Sequence, residues 1–326
     1  MTVKIFKRAL SPKFFESFKN GKLKKLLEII KKDNDLIMCL RGHSGYTTIY
    51  YKSLQILKIY QSKFEVHKNY GICFDKLGVN NVKESNNIII FRPPLNFDWN
   101  DYFKEAKQKI DIHCQKAIKL EKETQQKMFC CNNCDITAIQ NDYTVFDIEY
   151  CFIPNVEEKS RVTARFDALA LTSAKNTETN KTEIKLAIIE LKVGLGAISG
   201  NASLSKHYND VKNFIENVKI NKFITDMEEV VFQMSDLGLI NKNNNNLGYN
   251  HIDRDNIQFI CVLDNYNENS ILLQQEINNM NINNNDKFKT FFKLFVNNEY
   301  KLEGHHLFNK DEILNFLSKE KGKCLN

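Results

Sequence analysis

The run Ile184-Lys-Leu-Ala-Ile-Ile-Glu-Leu-Lys-Val-Gly194 decides how this chain of 326 residues is read. It is apolar enough for a buried strand, yet Glu190 and Lys192 stand near its end. Charged side chains enter a core only when they pair or bind a metal, because an isolated buried charge loses its hydration. Residues two apart on a strand share a face, about 6.6 Å apart along it, so this acid and this base look into one space.

Working outward, residues 164–171 (Ala-Arg-Phe-Asp-Ala-Leu-Ala-Leu) form a second apolar run with Asp167 inside it. The segment 172–183 between the two runs carries Ser, Asn and Thr and reads as the turn region of an antiparallel hairpin. In such a hairpin the start of the first strand neighbours the end of the second. Asp167 is therefore expected beside Glu190, offering hard oxygen ligands to one divalent cation with Lys192 alongside. A further strand is expected over 142–153. It contains Glu149, either a third carboxylate ligand or a solvent-facing residue, and Glu105 on an upstream helix is another candidate ligand.

This pattern resembles the PD-(D/E)xK nuclease superfamily, whose signature is matched by Arg-Phe-Asp at 165–167 and Ile-Ile-Glu-Leu-Lys at 188–192. Phe166 stands where the superfamily's proline would be. Glu-x-Lys occurs five times, at Glu105/Lys107, Glu157/Lys159, Glu183/Lys185, Glu190/Lys192 and Glu299/Lys301, but only Glu190/Lys192 lies deep in an apolar run. The resemblance spans roughly residues 98–265. It implies an α/β (α+β) fold: a restriction-endonuclease-like core with a central mixed β-sheet flanked by helices. It also implies a Mg-dependent endonuclease hydrolysing phosphodiester bonds, with Asp167, Glu190 and Lys192 catalytic. Mg²⁺ (or Mn²⁺) would be held by Asp167, Glu190, the Leu191 carbonyl and Glu149. The implied partner is nucleic acid, DNA rather than RNA, with a homodimer and a role in restriction or defence as analogies. A reading from another class is a non-catalytic nucleic-acid-binding or interaction protein on the same fold.

Composition sets the frame around that site. With 42% hydrophobic residues and 23 Phe the chain builds one large core or two ordinary ones. No apolar run approaches the roughly 18–20 residues of a membrane helix, and the charged N-terminus does not read as a signal peptide, so a cytoplasmic protein without a membrane partner is expected. Nine Cys without a regular framework fit reduced thiols. Cys130, Cys131 and Cys134, with Cys114 and Cys151 at a distance, make only a loose metal-ligand pattern, and ordinary thiols are preferred. Residues 1–32 hold ten basic groups against Glu16 and Glu28, a segment suited either to phosphate backbones or simply to solvent. No Walker-type phosphate loop is present.

Along the chain, a basic helix is expected over 12–32 and a small β-rich region over 36–92, ended by Pro93-Pro94. This places a boundary near residue 95, between an N-terminal region 1–95 and a nuclease-like domain 96–326. A helical stripe over 98–128 (Trp99, Tyr102, Phe103, Ala106, Ile110) is expected to open the nuclease core. A helix over 203–219 carries His207 in its first turns, read as a surface histidine packed on Val211 in preference to a catalytic one.

Overall fold

The computed structural model describes residues 8–70, 72–79, 81–114, 120–133, 143–152, 164–175, 182–194, 198, 200, 203–240, 252–267, 269–283 and 285–323. These residues form an α+β protein with two sheets. The chain divides into two compact units, Met1–Gln126 with Glu229–Leu239, and Lys127–Glu228 with Ile240–Asn326.

The first unit opens with α1 (Pro12–Lys19) and α2 (Lys24–Lys32). The single expected helix is broken at Gly21, where a Cβ would come within 2.8 Å of the Ser17 Cα. An antiparallel sheet follows, built from β1 (Ile37–Arg41), β2 (Tyr46–Tyr51), β3 (Leu54–Tyr60), β4 (Phe64–His67), β5 (Val82–Ser85) and β6 (Ile88–Phe91) in the order β1-β2-β3-β4-β6-β5. Helix α3 (Trp99–Cys114) packs its apolar stripe on this sheet. Trp99 lies 4.8 Å from Phe64, and the Tyr102 hydroxyl donates to the Ile56 carbonyl at 3.0 Å. The stripe is a buried face, as its spacing predicts, but it belongs with the N-terminal sheet and not with the sheet that carries Asp167 and Glu190. Pro93-Pro94 is therefore an internal turn of the first unit.

The second unit holds the residues of interest. Its sheet is built from β7 (Tyr143–Phe152), β8 (Ala164–Lys175), β9 (Thr182–Val193), β10 (Ile252–Asp264) and β11 (Phe288–Phe295), in the order β11-β10-β9-β8-β7. β7, β8 and β9 pair antiparallel, while β9, β10 and β11 run parallel. A central strand of such a mixed sheet is covered on both faces, which explains why β9 is almost continuously apolar. Helices α5 (Leu204–Asn217), capped by Ser203, and α6 (Ile220–Asp236) follow β9, and α7 (Ile271–Asn279) follows β10. α4 (Leu120–Asn133) and α8 (Lys310–Lys323) complete the set. Among the described residues no helix is long and apolar enough to cross a membrane.

Candidate active site

Glu190 and Lys192 are buried, at 4% and 5% exposure, and form the ion pair their spacing demands: Lys192 Nζ lies 2.7 Å from Glu190 Oε1. A third group joins them. His207, in the first turns of α5, places Nδ1 3.1 Å from the same Oε1. Burial, with the ammonium groups of Lys192 and Lys206 close by, pushes the imidazole down to about 4. It is therefore neutral at ordinary pH, and its Nδ1 rests against the carboxylate as a positioning contact. On β10, Cys261 pairs with Glu190, and its thiol is pushed far up by burial and by the Glu190 charge, so it presents no thiolate there.

Asp167 reaches the same stretch of β9 by a different route. The β8–β9 pairing runs from Lys175↔Thr182 to Ala168↔Ile189 and ends one residue short of Asp167. There its Oδ2 accepts the Leu191 amide at 2.7 Å, so a side chain replaces a neighbouring strand's carbonyl as the acceptor. The resemblance implied a metal contact through the Leu191 carbonyl; the contact the structure shows is through its N–H.

The side-chain alternation slips at this point. Tyr208 of α5 rests on Phe259 and Phe288, whose strands place them on the Glu190 face, and Phe214 of the same helix meets Phe166 at 5.1 Å. Phe166 thus shares the α5 face with Glu190. Ala168 pairs with Ile189, one residue out of step with Glu190, and so takes the opposite face. Residues 166 and 168 would share a face in a regular strand, so the irregularity sits at Asp167. β7 matches it at Glu149, which lies between Ile148, paired with Ala168, and Tyr150, paired with Phe166. Glu149 has φ +54°, left-handed backbone that a non-glycine residue adopts only under constraint. Asp167 and Glu149 are both half-buried.

Two other candidates lie elsewhere. Glu105 accepts the Cys73 amide at 2.8 Å inside the first unit and does not join Asp167. Cys130, Cys131 and Cys151 are half-buried thiols, while Cys134 lies outside the described residues. Of the basic segment, Lys13, Lys19, Lys22, Lys24, Lys25, Lys31 and Lys32 are exposed and Arg8 is buried; Lys4 and Lys7 lie outside the described residues.

Among the described residues, the one trio of ligand-type side chains whose donor atoms all lie within 4.8 Å is Glu303, His305 and His306. Glu149, Asp167 and Glu190 are not drawn together to that degree, since Glu190 is turned toward Lys192 and His207. Comparison with protein-family models, with curated proteins and with solved structures finds no match to this chain.

Proposed function

We propose that the chain is a metal-dependent nuclease of the PD-(D/E)xK type, hydrolysing phosphodiester bonds, with DNA the preferred substrate and the second unit as its restriction-endonuclease-like core. One observation carries this reading: a buried Glu190–Lys192 pair at the end of a central strand, with the Asp167 carboxylate seated against the backbone between them. Supporting it, the three antiparallel strands β7–β9 follow one another in the order the resemblance implies. The donor chemistry fits a hard divalent cation, because Asp167, Glu190 and Glu149 offer only carboxylate oxygens. Asp167 and Glu190 would hold Mg²⁺ (or Mn²⁺), with Glu149 and the Leu191 carbonyl as further donors. When bound, such an ion supplies Lewis-acid activation for attack on phosphorus.

The protein's own groups do the rest. Lys192 carries a fixed positive charge into a site shielded from water, where it counters the negative charge that grows on the phosphoryl oxygens. His207 and Lys192 share one oxygen of Glu190, which fixes the orientation of that carboxylate. Exposed lysines of α1 and α2 provide a sequence-independent attraction for phosphate backbones, strongest at low salt.

The decisive experiment compares the wild type with Asp167→Asn on supercoiled plasmid and on single-stranded DNA and RNA, with Mg²⁺ or Mn²⁺ and with chelator. Asparagine retains an acceptor for the Leu191 amide, so the fold is kept while one anionic ligand is lost. Metal-dependent cleavage by the wild type and at least a hundredfold loss in the variant are expected. Equal cleavage by the two proteins overturns the site. Binding of nucleic acid without cleavage by either favours the non-catalytic reading.

A further inference from the structure

A second cluster lies at the other edge of the sheet, where the chain leaves β11. Glu303, His305 and His306 bring one carboxylate and two imidazoles together, with His306 Nδ1 2.9 Å and His305 Nε2 3.9 Å from the same Glu303 Oε2. Ligands placed about 2.0–2.1 Å from a tetrahedral zinc ion stand roughly 3.3 Å from one another, a value these two distances bracket. Mixed imidazole and carboxylate donors favour a borderline transition ion over Mg²⁺ or Ca²⁺, which take oxygen alone.

The turn that carries these ligands is built into the unit. Fully buried Asn132 of α4 donates from Nδ2 to the Tyr300 carbonyl at 3.0 Å, and its Oδ1 accepts the Leu302 amide at 3.0 Å. On the other side, Phe308 and Phe292 exchange two backbone hydrogen bonds, of 2.8 and 2.9 Å. The segment holding Glu303, His305 and His306 is thus pinned at both ends, which lowers the ordering cost of gathering three ligands on a surface turn. The three side chains line a cleft of about 700 Å³ whose wall includes Lys293, Tyr300 and Phe308. Lys293 is 6% exposed, and burial holds its ammonium below the usual range.

We propose that Glu303, His305 and His306 form a binding site for a zinc-class transition-metal ion, with a fourth position open to the cleft. The site is independent of the acids on β8 and β9. Lys293 pairs with Val262 and Val262 with Leu191, which puts the cleft lysine on the sheet face away from Glu190. A cation with three protein ligands keeps one position for water or an anion, and Lys293 in the same cleft favours an anion there.

Full-length protein, reduced and stripped with chelator, is titrated with Zn²⁺ by calorimetry and with Co²⁺ by visible absorption. One equivalent of Zn²⁺ is expected to bind. His305→Ala and His306→Ala should each weaken binding at least tenfold, while His67→Ala, at the end of β4 in the first unit, leaves it unchanged. Co²⁺ should show d–d bands of nitrogen and oxygen ligation without a thiolate charge-transfer band. In the wild type, Zn²⁺ should shift the imidazole ¹⁵N resonances of His305 and His306, a readout that needs no variant to fold. Absence of Zn²⁺ binding, binding undiminished in the double His305→Ala/His306→Ala variant, a thiolate band, or unmoved imidazole resonances each overturns the proposal.

Discussion

At the scale of single residues, the controlling fact is that Glu190 and Lys192 bury each other. A carboxylate held only as a metal ligand could be replaced by alanine at little loss of stability, and Glu190 is more than that. In the structure it is the partner of a lysine that is 5% exposed, and its removal leaves that ammonium without a carboxylate. Glu190→Ala should therefore destabilise the protein by about 3 kcal/mol or more, and Lys192→Ala by a similar amount. The double variant Glu190→Ala/Lys192→Ala should lose clearly less than the sum of the two single losses, and none of the three variants should cleave. Urea melts of the four proteins complete the cycle, and additive losses would show that the two charges are not coupled. The pair is legible in the sequence because opposite charges two residues apart in an apolar run stay buried only by meeting each other or a metal. His207 is not legible in that way. Nothing in the residues around it says which strand its helix will dock upon, and its meaning rests wholly on a 3.1 Å contact to Glu190.

At the scale of elements, the period-two reading of strands locates the acids and then fails by one residue. It assumes regular alternation through Asp167, whereas β7 and β8 slip together at Glu149 and Asp167. No residue type announces such a slip when glycine is absent from it. Glycine relieves left-handed backbone, so Glu149→Gly should raise stability by about 1 kcal/mol while lowering cleavage, and Glu149→Ala should lower cleavage without the gain. Thermal melts and plasmid assays on both variants check this, and a destabilised Glu149→Gly would mean that the carboxylate, not the backbone, holds the slip. The helical stripe of α3 is legible as a buried face, but a stripe does not name the sheet it covers. A second tie is between α5 and the turn before β11. Asp286 accepts from Lys212 Nζ at 2.6 Å, from the Tyr208 hydroxyl and from the Asn283 amide at 3.0 Å. Burial alone raises its pKa, but these donors outweigh it, and the carboxyl titrates below its ordinary 3.8. A depressed folded value means stability that is present above pH 3.8 and lost as pH falls through the lower folded pKa. Asp286→Asn should thus be about 2 kcal/mol less stable at pH 7, with the deficit shrinking in the acid range below 3.8. A deficit that is constant across pH would assign the effect to packing.

At the scale of the whole molecule, each unit takes two separate stretches of chain. The first needs Glu229–Leu239 as well as Met1–Gln126. The later stretch is not ornamental there: Gln233 accepts the Leu10 amide at 2.7 Å through Oε1 and donates through Nε2 to the Leu10 carbonyl at 3.0 Å, while Asp236 pairs with Lys19 at 2.7 Å. This division has a consequence for biosynthesis. A ribosome delivers β1–β6 and α3 long before the residues that clamp Leu10, and it makes β7, β8 and β9 in the interval. The N-terminal sheet must therefore wait, incompletely clamped, while the strands bearing Asp167 and Glu190 emerge. Released nascent-length fragments make this measurable by proteolysis: one ending at residue 126 should be digested markedly faster than the same sheet in the full chain, and one ending at 240 should recover much of the protection. Equal resistance of the shorter fragment would show that the sheet matures without its late-arriving clamp.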